Sequence, residues 1–90
     1  MPNSDEPHIG VIGRIVSGVD VGWFIYIKRE SAGYITYRNP APDFSGNPTW
    51  YTWHPSLNGL KRHFNAEGWR IDWLGDNQSS ELEAQLDGIR

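Results

Sequence analysis

Apolar and polar positions alternate along several short stretches of the chain, and one later stretch repeats instead at a helical spacing. In residues 22–29, Trp23, Ile25 and Ile27 fall on one side of an extended backbone, with Phe24, Tyr26 and Lys28 on the other. Residues 34–38 alternate in the same way, Ile35 and Tyr37 against Tyr34 and Thr36. Glu30-Ser31-Ala32-Gly33 between the two stretches reads as a hairpin turn. β-Branched residues in 9–16 predict a preceding strand, with Gly10 and Gly13 as bulge sites and Ser17-Gly18-Val19-Asp20 as its closing turn. Residues 49–53 and 69–74 predict two more strands. The second of these sets Trp69, Ile71 and Trp73 against Arg70 and Asp72.

Leu57, Leu60 and Phe64 recur at i, i+3 and i+7, which predicts a helix with one apolar face. Pro55 suits its first turn, and Asn65 or Gly68 its end. A second helix is expected after Ser80, whose pairing with Glu83 has the form of a capping box, with Leu82, Leu86 and Ile89 on one side. Residues 39–48 hold three prolines and are expected to be an irregular loop. The expected fold is therefore α+β: an antiparallel sheet of four to five strands with two helices on one face, in the order β-β-β-β-α-β-α. Residues 1–8 are expected to form a flexible lead-in to a single domain over residues 9–90. Trp23, Ile25, Ile71 and Trp73 should lie beneath the helices with Leu60 and Phe64.

Ninety residues is a small domain, and small domains need dense cores. Five Trp, four Tyr and three Phe supply the apolar surface for one. With no cysteine, neither a disulfide framework nor a thiolate metal site can support the fold. Residues 1–8 lack the basic start of a signal peptide, and no apolar run approaches the roughly 20 residues of a membrane helix. A cytoplasmic location is the expectation.

The histidines are the first candidates for chemistry. His8 falls in the lead-in, while His54 and His63 are expected at opposite ends of the first helix, a spacing that does not present two metal ligands together. His54, His63 and Lys61 are residue types a small nuclease uses, yet nothing in their spacing requires catalysis. There is no Gly-x-Ser-x-Gly elbow and no phosphate-cradling glycine loop. The chain is expected to be non-enzymatic, with no cofactor and no metal.

Binding surfaces are the stronger candidates. The net charge is −3, and residues 71–90 carry Asp72, Asp76, Glu81, Glu83 and Asp87 against Arg90 alone. Asp72, Asp76, Glu81 and Glu83 are expected to form one patch that steers a basic protein partner. Asp43 and Phe44 lie in the proline-rich loop, where Phe44 serves either as a protruding anchor or as a pin beneath the loop. Trp50 is a further contact candidate. As an alternative, Phe24, Tyr26, Tyr34 and Trp50 with Arg14, Lys28 and Arg38 would make an aromatic and basic sheet face able to stack single-stranded nucleic acid. The acidic total charge leans against that use.

The segments Gly22-Trp23-Phe24-Ile25-Tyr26-Ile27, Trp50-Tyr51-Thr52-Trp53 and Trp69-Arg70-Ile71-Asp72-Trp73 give a small, cysteine-free, aromatic-rich chain with an acidic end. In type it resembles the immunity proteins with which bacteria neutralise cognate toxins, many of which are acidic blockers of basic nucleases. The resemblance implies a non-catalytic bacterial inhibitor that binds and blocks a basic toxin or nuclease.

Overall fold

The computed structural model describes residues 7–42, 44, 49–75 and 83–86. Five strands form one antiparallel sheet: β1 (Ile12–Ser17), β2 (Phe24–Glu30), β3 (Gly33–Asn39), β4 (Trp50–His54) and β5 (Arg70–Gly75). Helix α1 (Leu57–Glu67) lies between β4 and β5 in the chain, and residues 83–86 are helical. The α+β class and the order β-β-β-β-α-β-α match the expectation.

The strands lie side by side in the order β4-β3-β2-β1-β5. The β2–β3–β4 meander is local and in continuous register, with Tyr26 opposite Tyr37 and Tyr37 opposite Tyr51. β5 comes back to pair with β1 at the other side, Ile71 opposite Ile15 and Asp72 opposite Arg14. That ladder shifts register between Ile12 and Gly13, where the sequence predicts a bulge, and again between Ile15 and Ser17. α1 thus joins the two edges of the sheet. Ser56 caps its start, its side chain accepting from the Gly59 N–H at 3.1 Å. Gly68 ends it in the left-handed conformation, φ 69°.

Alternation places the side chains on the predicted faces. On the α1 side, Ile15, Ile25, Ile27, Trp69 and Ile71 pack with Leu60 and Phe64, and Trp23, Tyr34 and Trp73 border them. On the other side, Tyr26, Ile35 and Tyr37 are covered by Phe44 and Leu86. The expectation of two helices on one face is therefore corrected: Leu86 packs against the face opposite α1. The cause lies in β2 and β3, which present large apolar rings on both sides, so each face needs its own cover.

The turn between β1 and β2 is tied to the end of α1. The Val19 N–H donates to the Glu67 carbonyl at 3.1 Å, and Trp69 Nε1 donates to the Val19 carbonyl at 2.7 Å. Gly18, at φ 100°, makes this approach possible, because a Cβ there would come within 2.5 Å of the Gly68 carbonyl oxygen. His8 stacks flat on Trp73, ring centroids 4.8 Å apart.

Candidate functional site

The fold brings His54 and His63 together, which their positions in the sequence did not suggest. His54 ends β4 and α1 then runs back over the sheet, so the two ring centroids lie 4.9 Å apart. Thr36 Oγ1 on β3 hydrogen-bonds His54 Nε2 at 3.2 Å, and His63 and Trp69 meet edge to face with ring centroids 5.2 Å apart. Beside them the Arg38 guanidinium lies 5.4 Å from the Trp69 ring centroid and pairs with Asp20 at 2.5 Å. Burial, with the nearby His63 charge, lowers the His54 pKa to about 4. Burial likewise lowers that of His63; Glu67 opposes this and Arg38 reinforces it. His63 Nε2 is buried without a hydrogen-bond partner among the described residues, so a proton there gains no acceptor.

This cluster is poorly arranged for acid–base work at neutral pH. A general base works best with a pKa near the operating pH and within reach of substrate. His54 is 5% exposed and titrates far lower. Among the described residues no three His, Cys, Asp or Glu side chains come together as metal ligands. The pair sits between α1 and β3–β4, and its lowered pKa values favour the neutral form at pH 7.

The aromatic and basic set does not share a face. Phe24 and Tyr26 point away from α1, where Tyr26 is fully buried, while Tyr34 and Trp50 lie on the α1 side. Lys28 pairs with Glu30 at 3.1 Å, Arg38 with Asp20, and Arg14 sits across from Asp72. Of these rings Tyr26 is buried, Phe24 and Tyr34 are half-buried and Trp50 is open, and they do not form one stacking surface.

Of the candidate partner-binding residues, Asp43, Asp76 and Glu81 lie outside the described residues. Phe44 is the pin and not the anchor: it is 2% exposed within the second core, and its carbonyl accepts from Gln85 Nε2 at 3.0 Å. Glu83 accepts a hydrogen bond from the Tyr26 hydroxyl at 2.6 Å, which turns one candidate steering charge to internal use. Asp72 is exposed as expected, but its cross-strand neighbour is Arg14, a base additional to Arg70.

Trp50 is 59% exposed and does not stand alone. Tyr51 is 51% and Trp53 46% exposed on the same strand, and Leu57 follows at the start of α1. Tyr51 rests against Tyr37, centroids 6.2 Å apart, with its outer side open. Among the described residues β4 pairs with β3 alone, so this aromatic strand is a sheet edge. Tyr51 and Trp53 were absent from the sequence-based candidates; the available signal was an aromatic strand without a charge, flanked by prolines. No protein-family model, curated protein or solved structure matches the chain.

Proposed function

We propose that this chain is a non-catalytic protein-binding module, an inhibitor of the immunity type that binds and blocks a basic partner such as a toxin or nuclease. The observation carrying this reading is the open edge of β4, where Trp50, Tyr51 and Trp53 stand roughly half exposed in a domain that otherwise buries its rings. Trp and Tyr dominate the hot spots of protein interfaces, because large rigid rings give up little entropy when covered. The buried His54, with its pKa lowered to about 4, supports a binding role over a catalytic one. The net charge of −3 and the exposed Asp72 favour a basic partner.

The test is quantitative affinity capture from native cells with the tagged wild-type chain and with the Trp50→Ala/Trp53→Ala variant. One basic protein held by the wild type and lost by the variant supports the reading. RNA recovered in its place, or a partner held equally by both, overturns it.

A further inference from the structure

The two edges of the sheet are finished differently. β5 carries Arg70 and Asp72, and its ladder to β1 shifts register twice. Charges and bulges are what usually keep an edge strand from recruiting another strand. β4 has neither. Its five residues Trp50-Tyr51-Thr52-Trp53-His54 hold no carboxylate, Lys or Arg, and its ladder to β3 runs unbroken through five pairs. An edge of this kind calls for cover, and another molecule of the same chain is the occupant always at hand.

We propose that β4 pairs with β4 of a second copy, antiparallel about a two-fold axis through Thr52. This goes beyond the reading above: it names a second, acidic occupant that competes with a basic partner for the same edge, and it rests on the same exposure. The register is self-complementary. The Thr52 carbonyl is turned towards β3, where it accepts from Thr36 Oγ1 at 3.4 Å, so alternation leaves the outward backbone groups to Tyr51 and Trp53. With Thr52 on the axis, Tyr51 of each copy exchanges hydrogen bonds with Trp53 of the other. Four rings then meet on the sheet face opposite α1, and cross-strand aromatic pairs are among the favourable ones. On the α1 side, Trp50 of one copy lies across from His54 of the other, at the strand end from which Leu57 follows.

The area suits a modest dimer. Trp50, Tyr51, Trp53 and Leu57 each keep about half of their surface open. At about 150–250 Å² per ring, the three half-open rings with the smaller Leu57 amount to roughly 300–450 Å² per copy. A total of about 600–900 Å² is the size of a weak, concentration-dependent interface. Charge adds a signature. Each copy carries −3, so salt that screens the repulsion strengthens this association, whereas it weakens capture of a basic partner.

The chain has no cysteine, which allows a direct test on the full-length protein. Thr52→Cys places two thiols on the axis at a non-hydrogen-bonded pair, with Cα atoms about 4.5 Å apart, within disulfide range. Asp72→Cys on the opposite edge is the control. Under mild oxidant, the Thr52→Cys protein should cross-link at least tenfold faster than the Asp72→Cys protein. Sedimentation of the wild type from about 5 to 500 μM should show mass rising towards twice 10.3 kDa, more readily at about 1 M than at about 0.1 M salt. Thr52→Lys, which sets two like charges on the axis, should remain monomeric with an unchanged urea midpoint. Equal cross-linking at the two sites, or a wild type monomeric throughout, overturns self-pairing. If Trp50→Ala/Trp53→Ala still abolishes capture of a foreign protein in that case, the proposed function stands without it.

Discussion

Lowering the pH from 7.5 to 5 is expected to destabilise the fold through His54. In the unfolded chain its imidazole titrates near 6.5; in the folded protein its pKa is about 4. Above pH 6.5 the ring is neutral in both states and the fold has its full stability. Between 6.5 and 4 the unfolded chain takes up a proton that the folded chain refuses, so stability falls as pH falls. Below 4 both states are protonated and this residue causes no further loss. Linkage across that window gives about 2 kcal/mol by pH 5. The ring is covered but shallow, and screening reduces the expectation to about 1–2 kcal/mol. His63, also lowered, contributes with the same sign. For a domain holding about 5–10 kcal/mol in all, and an m-value of about 1 kcal/mol per molar urea, the midpoint should move by roughly 1–2 M. Urea titrations followed by tryptophan fluorescence at pH 7.5, 6.5, 5.5 and 5 will show it. His54→Gln keeps a hydrogen-bonding group near Thr36 without a titration, so its stability should fall less over the same range. Parallel wild-type and variant curves, or an NMR titration placing His54 near 6.5, would refute the reasoning.

The two tryptophans of β5 and its approach should separate cleanly. Trp69 is 2% exposed and bonded to Val19, so Trp69→Ala should cost about 3–5 kcal/mol, whereas Trp73→Ala, at the core margin, should cost clearly less. Equal losses in chemical denaturation would contradict that ranking. Gly13→Ala should cost about 1–3 kcal/mol, because the added methyl would run into Ile71 and Trp73. A variant that melts like wild type would show that β1 and β5 are more loosely joined than their register suggests.

Much of the sheet was legible in the sequence because alternation is a local property. Trp23 to Lys28 and Tyr34 to Tyr37 sorted themselves onto the correct faces, and Gly13 and Gly68 marked a bulge and a helix end. The return of β5 to β1 was not legible, since no local pattern records which distant strand becomes a neighbour. The same limit hid the histidine pair: nine positions separate His54 from His63, and only the path of α1 over the sheet joins them. The second core was missed for a different reason. Placing both helices on one face assumes that the other is wet, and Tyr26, Ile35 and Tyr37 together are too large and apolar for that. Trp50 was named as a contact candidate, but its similarly open neighbours Tyr51 and Trp53 were read as ordinary strand formers.

The placement of β5 also sets an order of events for a growing chain. β2, β3 and β4 pair through short connections, and the meander can form as soon as residue 54 is available. β1 gains its other neighbour only when residues 70–75 have been made and α1 has crossed the sheet, a contact between residues 53 to 63 positions apart. Contacts of such long separation are slow to close. Until they do, the nascent domain exposes two bare strand edges, β1 as well as β4, and the face carrying Ile15, Ile25 and Ile27 lacks Trp69 and Ile71. Synthesis thus passes through an interval in which the chain is most prone to join its neighbours, and the arrival of β5 closes it.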